Sequence, residues 1–285
     1  MGVAERAKAG VSGEVTLIRP IRSWVSLNLR EVWRYRELIF FFTWRDVKVR
    51  YKQTLLGAAW AILKPFFTMV VFAVIFGRLA KIPTDDAPAP IFYFAGLLPW
   101  VLFQDGITKS STSLVANRNL VTKVYFPRIS LPLSAVAAGL VDFALAFLVL
   151  LGMMAYYGIV PKVEALLLPV FLLLALLTSL GAGLWLAALN VAYRDIGYVT
   201  PFIVQAWLYA SPVAYSATLI PEGIGRLLYG LNPMAGVVQG FRWAILGVGA
   251  PDMGLLMIST VISLILLVSG ALYFSHMERT FADVV

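Results

Sequence analysis

The sequence predicts an all-α polytopic membrane protein of six transmembrane helices. An amphipathic interface helix precedes the first span, and short re-entrant helices at the outer face separate spans five and six. Three observations lead there. Of 285 residues, 60% are hydrophobic and 13% charged, with a mean hydropathy of +0.84; soluble domains carry about a quarter charged residues. Apolar runs long enough to cross a bilayer recur at about 55–79, 91–113, 131–157, 165–189, 198–219 and 253–274. The formal charge of +8 is concentrated at one end, where residues 1–54 hold eleven basic against five acidic side chains. Such a composition excludes an ordinary soluble enzyme, a disordered chain and a nucleic-acid-binding module, so no nucleic-acid partner is expected.

Residues 1–34 read as a cytoplasmic flank and 35–285 as the membrane domain. Residues 1–22 lack an apolar run followed by a small-residue cleavage site, so no signal peptide is expected there. Over 37–53, Phe40, Trp44, Val47 and Tyr51 recur at helical spacing, with Arg45, Lys48 and Lys52 on a neighbouring face. Aromatic anchors beside a basic flank suit the membrane interface; a solvated juxtamembrane charge run is the alternative. Between spans, sixteen basic residues fall on the side of the termini (the flank, Arg118, Lys123, Arg128, Arg194 and Arg279) and five on the other (Arg78, Lys81, Lys162, Arg226 and Arg242). The asymmetry places both termini in the cytoplasm.

The stretch 220–250 is apolar in two short pieces broken by Gly225, Gly230, Asn232-Pro233 and Gly236. Each piece is well under the ~20 residues a span needs. Broken segments survive at membrane depth only inside protein or beside an aqueous cavity, which predicts a helical hairpin dipping from the outer face.

Missing motifs narrow the chemistry. No cysteine is present, so disulfides and thiolate sites are excluded, and His276 is the only histidine. There is no GxxxxGK[ST], so no P-loop can cradle a nucleotide in this chain. Gly181 and Gly183 read as close helix packing. Asp142, mid-way along the third span, must be paired or hydrated: as a proton carrier it would mark a secondary transporter, and as a partner of Lys109 it would be structural. Trp60, Phe66, Phe67, Trp100, Phe103, Trp185, Trp207 and Tyr209 are not readily explained as interface anchors. Their ring faces could line a path for sugars or simply fill the core.

Four segments carry a family resemblance: FTWRDVKVRYKQTLLGAAWAILKP (42–65), AGLLPWVLFQDGITKSSTSLVANRNLVTKVYFPRISLPLS (95–134), NVAYRDIGYVTPFIVQAWLYASPVAYS (190–216) and NPMAGVVQGFRWAIL (232–246). In order and spacing they resemble the permease subunit of ATP-binding-cassette exporters for O-antigen, capsule or teichoic acid. The resemblance implies a homodimeric channel in the bacterial inner membrane that moves a lipid-linked polysaccharide, first of all O-antigen, among membrane lipids. It also implies two copies of a separate cytoplasmic ATPase that hold ATP and Mg²⁺, with no cofactor and no catalytic residue in this chain.

By the same resemblance, a coupling helix at about 117–128 would meet the ATPase through Arg118, Asn119, Lys123, Tyr125, Phe126 and Arg128, with Arg194 and Asp195 as a second contact. Arg45, Lys48, Arg50 and Lys52 would guide the lipid headgroup. Trp60, Phe67, Trp100, Trp207 and Tyr209 would line the channel, and Asn232, Pro233, Gln239, Arg242 and Trp243 the outer gate. The guanidinium of Arg242 is chemically suited to a diphosphate. The alternatives are an ion-coupled secondary transporter and a membrane-embedded transferase; the scattered Asp105, Asp142 and Asp195 supply no clustered acids for the latter.

Overall fold

A computed structural model describes residues 29–52, 57, 59–220, 223–278 and 281. Most of the basic flank, with Arg6, Lys8, Arg19 and Arg22, lies outside the described residues, as do Gln53, the start of the first predicted span, Pro221, Glu222 and Arg279. The described residues form helices and connecting turns, with no strand among them.

The chain opens with α1 (Leu29–Arg34) and α2 (Arg36–Lys52). Then α3 (Ala59–Phe72) runs on as a π-helical stretch to Leu79, giving a helix of 21 residues. α4 (Ala89–Ala116) starts behind Pro88 with a second proline, Pro90, in its first turn, and α5 (Arg118–Lys123) follows it after Asn117. α6 (Ser130–Tyr157) stops at Gly158, whose φ of 67° is open to glycine at no steric cost. A 3₁₀ turn at Val163–Leu167 feeds α7 (Leu168–Ala192). α8 (Ile196–Ala210), α9 (Ile224–Gly230), α10 (Pro233–Leu246) and α11 (Met253–Met277) complete the chain.

Among the described residues, five helical stretches are long and apolar enough to cross a membrane: Ala59–Leu79, Ala89–Ala116, Ser130–Tyr157, Val163–Ala192 and Met253–Met277. The predicted span at 198–219 differs. Its helix, α8, has 15 residues, about 22 Å of rise against a ~30 Å hydrocarbon core. Beyond Ala210 the chain turns through Ser211–Tyr215. The broken stretch does form two short helices, α9 and α10, of 7 and 14 residues. Their junction is set locally: Asn232 Oδ1 accepts the Met234 N–H at 3.0 Å, with Pro233 in the first helical position.

α4 is the central helix. In its most apolar stretch 78% of residues are buried, against 17–39% for the other four long helices. Around it pack α3, α6, α7, α8 and α10. The outward faces of α3, α6 and α11 carry exposed Val71, Leu148 and Val268, as lipid-facing helices do. α7 and α11 cross with their backbones in close approach. A methyl on Gly181 would sit 2.6 Å from the Leu267 nitrogen, and one on Gly270 would sit 2.3 Å from the Gly181 carbonyl oxygen. The two backbones meet there as small-residue contacts allow. Beside it Trp185 stacks on Tyr273 at 4.1 Å and donates to Ser269 Oγ at 3.1 Å.

A second apolar cluster gathers Phe42, Leu114, Val121, Phe126, Leu131, Phe274 and Phe281. It joins α2, the α4–α6 connection and the end of α11 at one pole of the molecule. The opposite pole, reached along the roughly 37 Å length of α11, carries α9 and the start of α11.

Candidate functional site: a charged seam, an aromatic seam and two poles

α2 docks by its C-terminal half. Phe42 and Val47 are buried, whereas Phe40, Phe41 and Trp44 remain exposed. The predicted aromatic stripe is thus divided: its early members face outward and Tyr51 turns inward. Arg50 and Tyr51 both donate to the carboxylate of Asp142 on α6. Lys109 Nζ lies 3.6 Å from the same carboxylate and 2.9 Å from Asp105, which also takes Lys64 at 3.1 Å. Six polar side chains from four helices therefore form one ion-paired chain. Asp142 is paired with Lys109, and with Arg50 and Tyr51 besides.

Of the four residues assigned to headgroup guidance, Lys48 and Lys52 are exposed. Arg45 is paired with Asp46 at 2.8 Å and lies over the Phe42 ring, and Arg50 is held by Asp142. Between α2, α4 and α6 lies a cavity of about 470 Å³ lined by Arg45, Asp46, Arg50, Lys109, Thr112 and Asn117, among others. Its lining holds Arg45, Arg50 and Lys109 against Asp46, and each of these cations is paired with a carboxylate.

At the same pole the predicted coupling segment splits in two. Arg118, Asn119, Lys123 and Tyr125 are exposed, and the Tyr125 hydroxyl donates to Glu31 at 3.2 Å. Burial, and then the Glu31 carboxylate, push that phenol above its ordinary range. Phe126 corrects the sequence expectation of a docking anchor: it is buried, edge-on to Phe42 at 5.6 Å. Arg128 is likewise engaged within the chain, its N–H donating to Glu278 Oε1 at 2.9 Å and its side chain to the Glu278 carbonyl. Burial raises the Glu278 carboxyl against the pull of that Arg128 N–H. Tyr193, Arg194 and Asp195 stand exposed between α7 and α8.

The contrast makes a direct prediction. Phe126→Ala is expected to cost about 3 kcal/mol by leaving a cavity in the Phe42–Phe274 cluster, whereas Tyr125→Ala is expected to stay within about 0.5 kcal/mol. Thermal unfolding of the two purified variants checks this; equal losses would contradict the division.

The aromatic candidates also separate. Trp100 is 1% exposed, tilted against Phe103 at 5.2 Å and donating to Gln104 at 3.0 Å. It is a core residue rather than a lining one. Phe103 meets Trp207 edge-on at 4.9 Å, and Trp207 Nε1 donates to Asn232 Oδ1 at 2.8 Å. Asn232 in turn donates to the Ala210 carbonyl at 3.0 Å and Ser211 Oγ at 2.9 Å. One amide thereby closes the end of α8 onto the start of α10. Trp60, Phe67 and Tyr209 lie apart from this seam, each more than half exposed on α3 or α8.

Within the predicted gate, Pro233 is buried while Gln239 and Trp243 are half-buried. Arg242 departs from its expected role of meeting a diphosphate. It is 3% exposed, with Nε donating to the Phe92 carbonyl at 3.3 Å and Nη2 to those of Pro212 and Val213 at 2.9 and 3.2 Å. Its guanidinium also stacks 3.7 Å from the Phe92 ring centroid. Gly96 makes this possible, because a Cβ there would meet Nη2 at 2.4 Å. The side chain is a staple joining α10 to α4 and to the turn after α8.

The family model for the ABC-2 type transporter matches residues 37–246, which contain all four segments quoted above. The chain belongs to this family. Over 257 residues it is 31% identical to the O-antigen export system permease protein RfbA of Myxococcus xanthus, covering 90% of this chain and 98% of that one. It is 25% identical to the Klebsiella pneumoniae protein of the same description, over 87% of this chain and 95% of that one. The polysialic acid transport protein KpsM of Escherichia coli is 25% identical over 71% of this chain and 78% of its own.

Two sets of contacts in this ABC-2 permease escaped local sequence reading. Arg50 and Tyr51 reach a carboxylate more than 90 positions away. Asn190 ties α7 to α4 and to Gly197, donating to the Ser111 carbonyl at 2.8 Å and accepting the Gly197 N–H at 3.1 Å. An asparagine inside an apolar helix was the available signal for it.

Proposed function

We propose that this ABC-2 permease is the membrane subunit of an ATP-driven exporter for a lipid-linked polysaccharide, O-antigen first among such cargoes. Two copies form the path across the bacterial inner membrane, and each is seated on a separate cytoplasmic ATPase that holds ATP and Mg²⁺. The observation that carries this reading is the 31% identity to an O-antigen export permease over 90% of this chain and 98% of the relative.

Several features support it. The excess of basic residues beside α2 and α5 supports a cytoplasmic position for that pole. There the exposed Arg118, Asn119, Lys123 and Tyr125, with Arg194 and Asp195, offer a contact surface for the ATPase. The cavity between α2, α4 and α6 admits a diphosphate-linked headgroup, with Lys48 and Lys52 outside it. α8 and the turn after it make the sixth crossing, while α9 and α10 dip from the outer face as the gate around Asn232, Pro233, Gln239 and Trp243. Exposed Trp60, Phe67 and Tyr209 leave ring faces for sugars between two copies.

Native mass spectrometry of the permease co-expressed with the ATPase encoded beside it tests the assembly. Two permeases with two ATPases are expected, and Tyr125→Ala combined with Arg194→Ala should weaken ATPase retention about tenfold without shifting the unfolding temperature. A permease that remains monomeric and binds no ATPase would refute the reading.

A further inference from the structure

At the pole opposite the coupling surface, α9, α10 and the start of α11 enclose a cavity of about 540 Å³, within the ~300–1,000 Å³ range of small-ligand sites. Its lining includes Thr218, Arg226, Tyr229, Gln239, Asp252 and Leu255. Arg226 Nη2 and Asp252 Oδ2 are paired at 2.8 Å, and Asp252 Oδ1 caps α11 by accepting from Gly254 N at 2.8 Å. The ion pair is thus fixed in place across the cavity wall. Among the described residues the Gln239 side chain makes one hydrogen bond, from Nε2 to the Ala250 carbonyl at 3.5 Å, at the limit of a hydrogen bond. The Tyr229 hydroxyl is shut away from solvent with no hydrogen-bond partner among the described residues, so what that side chain offers the cavity is its ring.

The lining discriminates among ligands. A phosphate would find the one guanidinium already neutralised by Asp252. A metal ion would find, among the described lining residues, one carboxylate, both of whose oxygens are engaged. An acyl chain would have to desolvate Arg226, Asp252, Gln239 and Thr218 without replacing their hydrogen bonds. A neutral sugar satisfies each group: its hydroxyls both donate and accept, and its apolar ring face can rest on Leu255 and the Tyr229 ring.

We propose that this cavity is a saccharide subsite that holds a short neutral segment of the glycan as it leaves. The proposal rests on the export reading and deepens it: the outer gate would hold the chain by its sugars rather than by its diphosphate, consistent with Arg242 being spent on backbone carbonyls.

The test uses the permease–ATPase complex in lipid nanodiscs. Isothermal titration calorimetry and saturation-transfer NMR are run with maltose, mannobiose, galactobiose and rhamnobiose, and with inorganic pyrophosphate. At least one disaccharide is expected to bind in the millimolar range. Gln239→Leu and the cavity-filling Leu255→Trp should each weaken it at least tenfold, while pyrophosphate binding is unchanged by either. Failure of every disaccharide to bind, equal binding by wild type and both variants, or pyrophosphate binding that Arg226→Gln abolishes would each overturn the subsite. Binding is read without transport, so a complex that binds sugar but exports nothing would refute the export reading and leave the subsite standing.

Discussion

Replacing Asp142 with alanine is expected to cost about 3–5 kcal/mol of stability, the range for removing one partner from a buried ion pair. The carboxylate takes both Arg50 and Tyr51 and lies 3.6 Å from Lys109, and its side chain is 15% exposed. Without it, Arg50 is left charged at the edge of the apolar interior and α2 loses its polar hold on α6. Removing both charges, as in Asp142→Leu with Arg50→Leu, should recover much of the loss, because a well-packed apolar pair replaces the ion pair at little cost. Thermal unfolding of the single and double variants gives the comparison. No recovery in the double variant would show that the carboxylate acts through something other than Arg50. The same residue separates transport classes: export driven by ATP should be insensitive to an imposed pH gradient, whereas a proton carrier at Asp142 would make it follow that gradient.

The second large effect is expected at the α7–α11 crossing. Gly270→Leu places side-chain carbon where the Gly181 carbonyl oxygen already stands, 2.3 Å from the first added atom. Neither neighbour is a flexible side-chain end, so relief requires the helices to part, which would also pull Trp185 from Tyr273. Overpacking of this kind costs typically about 1–3 kcal/mol and sometimes more; with backbone as the obstacle, the upper end is expected. The measurement is the yield and unfolding temperature of monodisperse protein in detergent. Gly152→Leu, at a glycine with open space around it, serves as the comparison and should change little. Equal tolerance at both positions would contradict the close backbone approach.

The different legibility of these features has physical causes. The long apolar helices, the helix at 36–52 and the break before Pro233 follow from local pattern: hydrophobic run length, helical spacing and a proline behind a capping asparagine. The close-packing reading of Gly181 was also local, since small residues in an apolar helix have few other uses. What local pattern could not supply is direction. Phe126 and Tyr125 are adjacent in sequence and both aromatic, yet one fills the apolar cluster around Phe42 and the other faces out. Arg242 had the chemistry of an anion ligand, but the orphan carbonyls left by the turn at Pro212 and Val213 claimed it first. The stretch 198–219 has the hydropathy of a span, but its helix ends at Ala210, where Asn232 binds the Ala210 carbonyl and the chain turns. In each case a partner remote in sequence decided the outcome.

The central claim, that this chain is the passive membrane half of an ATP-driven polysaccharide exporter, is tested most directly in proteoliposomes. The permease is reconstituted with and without its ATPase, and lipid-linked glycan reaching the far side is measured with ATP, without ATP and under a pH gradient alone. Translocation is expected only when both proteins and ATP are present, with no ATP hydrolysis by the permease by itself. Translocation by the permease alone under the pH gradient would contradict it.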